Sequence, residues 1–170
     1  MVMMWYDWMS LAIVLGVAII QTIRTSKAGG MGLTLFEAGG LIVAGVSANF
    51  LSGQIAQAIG VQPLIMMVIL FIAFAVLAFV FARWLFGLTG WSFESLDGFF
   101  GFIWGVVAGW VIAHMVLRII ILSQGPNGAV AETIVNAPIA REVYYFRTWN
   151  ALLNLLFKAK LGPDFNPDIN

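Results

Sequence analysis

"VQPLIMMVILFIAFAVLAFVFA", residues 61–82, runs for 22 positions without a charged side chain. At 1.5 Å rise per residue such a helix is about 33 Å long, enough to cross a hydrocarbon core of about 30 Å. A helix on a soluble globule keeps one polar face. Here Gln62 is the only polar side chain, so the stretch reads as a membrane span, and Pro63 suits its first turn.

Working outward, three more apolar runs qualify. Leu33–Ile59 lies upstream with Glu37 near its start, and only the uncharged "AIGVQP" separates it from the first run, which predicts a tight hairpin. Trp8–Ile23 precedes it, and Gly98–Leu122 follows the opening stretch and holds His114 and Arg118 toward its far end. The whole chain agrees: of 170 residues, 62% are hydrophobic and 9% charged, against about 25% charged in a soluble domain. The expected fold class is therefore an all-α membrane protein, with a four-span transmembrane domain over residues 1–125 and a C-terminal amphipathic helix and tail over 126–170.

Eight Lys and Arg balance eight Asp and Glu without clustering, which argues against nucleic acid, whose phosphates demand a local excess of bases. There is no cysteine, so disulfides and thiolate metal sites are excluded. A single histidine, His114, supplies no metal site on its own. No metal and no cofactor are expected.

The first charge is Asp7, whereas a secretory signal begins with a positive region, so the first span is expected to be retained. Arg24 and Lys27 follow span one and Arg83 follows span three. The positive-inside rule then places both loops in the cytoplasm and the two ends of the chain outside, although four bases from Arg141 to Lys160 pull the other way. Beyond the turn signal "SQGPNG", Ile139, Val143, Phe146, Trp149, Leu153, Leu156 and Phe157 fall within an arc of about 140° at 100° per residue. This predicts an amphipathic helix lying at the membrane interface or docked on the bundle.

"LDGFFGFIWGVVAGWVIAH", residues 96–114, opens span four with Gly98, Gly101, Gly105 and Gly109. It matches neither phosphate-loop nor dinucleotide glycine spacing. On a helix the four fall within about 80°, a stripe that lets a neighbouring backbone approach closely where no hydrophobic drive exists. On span two, Gly45, Asn49, Ser52, Gly53 and Ala56 share a comparable face. Gly45 and Gly53 are expected in packing, and Asn49 either forms an interhelical hydrogen bond or lines a polar path. His114 and Arg118 stand on the side opposite the glycine stripe; they anchor the helix at the interface or form a site. Asp97 is placed to cap the fourth helix. Glu37 can pair with Arg24 or Lys27, while Asp7 lies at the opposite membrane face.

The order of these features resembles the colicin V production protein family of bacterial inner-membrane proteins. The most specific match is "LDGFFGFIWGVVAGWVIA", with Asp97, Gly101, Gly105 and Gly109 on the family's motif positions and Gly98 where the family has arginine. "DWMSLAIVLGVAIIQTIRTSKAGG", "KAGGMGLTLFEAGGLIVAGVSA" and "NAPIAREV" are looser matches, and the resemblance spans residues 5–140. It implies a multi-pass cytoplasmic-membrane protein that supports toxin production or envelope maintenance, with no known catalytic residues. A non-enzymatic role is the expectation, with a small channel or transporter as the alternative suggested by Asn49, His114 and Arg118. The expected partners are the lipid bilayer and, through the small-residue faces, a second copy or another membrane protein.

Overall fold

The computed structural model describes residues 3–28, 30–125, 127–147 and 150. Every element in them is helical: α1 (Trp5–Ala28), α2 (Met31–Ile59), α3 (Pro63–Thr89), α4 (Asp97–Gln124), α5 (Ala129–Thr133) and α6 (Pro138–Tyr145). Four of these are long and apolar enough to cross a membrane, and the chain is an all-α membrane protein. α1 and α3 run past the charge-free stretches at their C-terminal ends, because Arg24, Lys27 and Arg83 continue them as helix. The predicted hairpin closes at Gly60, whose positive φ of 72° ends α2 and lets its N–H bond the Ala56 carbonyl. Pro63 opens α3.

The glycine stripe of α4 packs on α1. A Cβ built on Gly105 would lie 2.6 Å from the Ala18 Cα, and one on Gly109 would lie 2.8 Å from the Val14 Cα. Gly101 abuts Thr25 and Gly98 abuts the Ser26 hydroxyl. Ascending numbers on α4 meet descending numbers on α1, so the two helices are antiparallel. α2 lies against α4 in parallel, with Ala38 and Leu41 packed on Ala108 and Val111, and with Gly45 under Val111 and Met115. α3 closes on α2 where Gly40 meets Ala78. Only Met66, Met67 and Ala82 of α3 are buried, so most of its surface is left to lipid.

Gly53 departs from expectation, with nothing within 4 Å of its would-be Cβ. Ser52 and Ala56 hold the buried side of α2 there, and Gly53 sits about 100° round from Ser52. The C-terminal amphipathic helix also differs. α6 ends at Tyr145, and Phe146 follows with a φ of 52° and its N–H on the Glu142 carbonyl. The turn swings Phe146 off the arc predicted for it. Buried Ala140 and Val143 dock α6 on Tyr6, Val14, Ala113 and Leu117. Trp149, Leu153, Leu156 and Phe157 lie outside the described residues.

Gly105→Leu removes the closest backbone approach between α1 and α4, and overpacking of this kind costs about 1–3 kcal/mol or more. It should lower the unfolding midpoint in detergent, whereas Gly39→Ala, where no atom lies within 4 Å and helix propensity favours Ala, should leave it unchanged or raise it.

Candidate functional site

Three acidic side chains are almost fully withdrawn from the surface: Asp7 at 0%, Glu37 at 1% and Asp97 at 6% exposure. In a membrane helix such groups persist only when every lone pair is engaged, and their partners define how the bundle is tied together.

Asp97 begins α4, yet its carboxylate serves α2. It accepts the N–H of Met31, the first residue of α2, at 2.9 Å, together with the Phe93 N–H at 2.9 Å and the Ser92 hydroxyl at 2.5 Å. The expected cap on α4 is thereby corrected: Asp97 already has helical backbone angles and no side chain caps α4, so the carboxylate turns back to the chain before it and across to a neighbour. α2 needs this outside help because Gly30, in the N-cap position, has no side chain to offer. The Trp91 carbonyl takes the next free donor, Gly32 N–H, at 3.1 Å, and the Trp91 ring stacks on Phe36.

Two turns into α2, Glu37 receives both guanidinium nitrogens of Arg24, at 2.8 and 2.9 Å, and the Gln21 amide at 2.7 Å. Arg24 bonds the Gln21 carbonyl oxygen of the side chain as well, at 2.9 Å. The pair joins the last turns of α1 to the first turns of α2, as the charge placement predicted. Its two partners differ in environment, since the Arg24 side chain is 38% exposed and that of Glu37 is 1% exposed.

At the other end of the bundle, Asp7 in the first turn of α1 repeats the device. Its carboxylate accepts the Met4 N–H at 2.8 Å and, from α6, the Ile139 and Ala140 N–H groups at 2.9 and 2.8 Å. Tyr6 adds a hydroxyl bond to Thr133 at 2.9 Å. Sequence reading missed this role. The available signal was the start of α6, where Ala137 and Pro138 supply no capping side chain, so a distant acceptor was required. α1 and α4 thus exchange aspartates: Asp97 of α4 caps α2, the helix after α1, and Asp7 of α1 caps α6, which lies beyond α4 and α5.

Between α2 and α4 lies a cavity of about 500 Å³ walled by Ile42, Val46 and Asn49 on one side, by Trp104, Trp110 and His114 on the other, and closed at one end by Phe146. This brings together two of the three polar residues singled out within the spans. His114 Nδ1 lies 3.3 Å from the Val143 carbonyl, and its ring stands 5.5 Å from Tyr144 and 4.9 Å from Phe146. The Asn49 side chain is exposed on α2 and, among the described residues, makes no interhelical hydrogen bond. Arg118, one turn beyond His114, lies outside the cavity wall, and its Nε is buried without a hydrogen-bond partner. The Trp104 indole nitrogen, on the wall, is in the same condition.

No family model, curated protein or solved structure matches the chain.

Each aspartate bond to an N–H is charge-assisted and contributes about 1.5–3 kcal/mol, and each aspartate makes more than one, so Asp7→Ala and Asp97→Ala should each cost at least that much. Amide hydrogen exchange should separate them: Asp7→Ala accelerates Ile139 and Ala140 and spares Met31, while Asp97→Ala does the reverse. For the ion pair, Arg24→Gln strands a buried carboxylate and should cost about 3–5 kcal/mol. Glu37→Gln should cost less, because Arg24 can turn to water, and the double variant should recover most of the Arg24→Gln loss in detergent unfolding.

Proposed function

We propose that the chain is a non-enzymatic, multi-pass protein of the bacterial cytoplasmic membrane, of the colicin V production type, that supports toxin biosynthesis or export or the upkeep of the cell envelope. The observation that carries the reading is that the residues of the family-like motif act as one unit. Asp97 fastens α2, while Gly101, Gly105 and Gly109 seat α1. The motif is thus the point where three spans converge, as expected of a family feature that preserves an assembly and not a reaction. In the proposed orientation the loops after α1 and α3 face the cytoplasm and the Asp7 end faces outward, following Arg24, Lys27 and Arg83.

Deleting the coding sequence should sensitise the cell to envelope stress or block toxin secretion. The intact chain should restore the phenotype, and Asp97→Ala at equal membrane abundance should not. Unchanged stress survival and secretion in the deletion strain would overturn the reading. A second reading, a small channel or transporter, draws on Asn49 and His114 sharing one cavity. It requires solute or ion flux in proteoliposomes that changes with His114→Ala.

A further inference from the structure

We propose that the cavity between α2 and α4 is a binding site for an uncharged, hydroxyl-headed amphiphile that enters sideways from the bilayer. The inference is independent of whether the protein transports anything.

Depth comes first. The wall residues run from Trp104 to Met115 on α4 and from Ile42 to Asn49 on α2, the middle stretches of both spans, where the hydrocarbon core holds no water to fill an opening. Val46, 65% exposed, and Ile42, 43% exposed, leave the mouth open toward lipid. What occupies the cavity therefore comes from the lipid phase.

The polar groups then select the head. α2 and α4 run parallel and Ala48 packs with Met115, so Asn49, the next residue of α2, stands within about a turn of the level of His114. His114 Nδ1 faces the Val143 carbonyl oxygen, which only accepts, and in the tautomer that satisfies this contact the proton sits on Nδ1. A neutral ring then keeps Nε2 as an acceptor. The Asn49 amide offers N–H donors. An acceptor and a donor at one level of the same cavity suit a hydroxyl group, which donates one hydrogen bond and accepts two. An alkane satisfies neither. A carboxylate or phosphate has no proton for Nε2, and no charged side chain stands in the wall to hold it. The remaining wall, with Ile42, Val46, Val107 and Val111, takes an apolar chain, and about 500 Å³ is within the range of small-molecule sites.

Acyl glycerols and isoprenoid alcohols both carry this chemistry. The test uses the full chain in phosphatidylcholine nanodiscs, titrated with 1-dodecanol, dodecane and dodecanoate while thermal unfolding is followed. Dodecanol should raise the midpoint saturably and the other two should not. His114→Phe and Asn49→Leu should each weaken dodecanol at least about tenfold, the loss expected for one hydrogen bond. Dioleoylglycerol and farnesol, titrated in the same way, then distinguish an acyl from an isoprenoid source. In the unsubstituted protein, 11-bromoundecanol should quench tryptophan emission saturably, a readout that survives if a variant fails to fold. Equal shifts from dodecane, full affinity in both variants, or no saturable quenching would overturn the proposal. So would cross-linking through Val46 that shows a second copy seated on the mouth.

Discussion

A helix that begins inside a packed membrane bundle has free N–H groups and no water to meet them. In this chain two such starts, those of α2 and α6, lack a capping side chain of their own. Both are answered by an aspartate from a distant helix, and both aspartates are buried. A buried polar group left unpaired costs several kcal/mol, so these two carboxylates determine which helices may lie side by side and at what height. The rest of the bundle is compatible with that choice.

The glycine stripe makes the choice reachable. Asp7 and Asp97 lie in the first turns of antiparallel helices, and each must arrive beside the far end of the other. Contact at backbone distance along Gly101, Gly105 and Gly109 fixes the register of α1 on α4. Bulkier side chains would spread the pair and carry both carboxylates away from their amides. α2, held at its start by Asp97 and by Glu37 on Arg24, then has one flank for α4 and one for α3. The cavity with Asn49 and His114 lies between α2 and α4.

Spans, hairpin and the Arg24–Glu37 pairing were legible in the sequence, because each follows from local quantities: apolar run length, a Gly and a Pro in a short uncharged turn, and opposite charges on adjoining helix ends. The glycine stripe was legible as a contact face. Its partner was not, since four small residues on one helix do not say which neighbour lies against them. Asp97 was read correctly as a capping residue and assigned to the wrong helix, because spacing along a chain reports only local caps. Asp7 escaped altogether: its partners are Ile139 and Ala140, and no periodicity links positions so far apart. The break at Phe146 was likewise invisible to a helical wheel, which assumes that the helix continues.

The exchange of aspartates also bears on the order in which the protein can be completed. Asp7 leaves the ribosome well before two of the amides it holds, which are 132 and 133 positions later; the Asp97 bond to Met31 spans 66. While the first hairpin is being inserted, both its acid and the bare start of α2 lack their final partners. Neither end of the bundle can lock until α4 has been threaded through the membrane and the segment after it has folded back. Synthesis therefore proceeds through an unfinished, loosely held intermediate, and residues that emerge after all four spans secure the first of them.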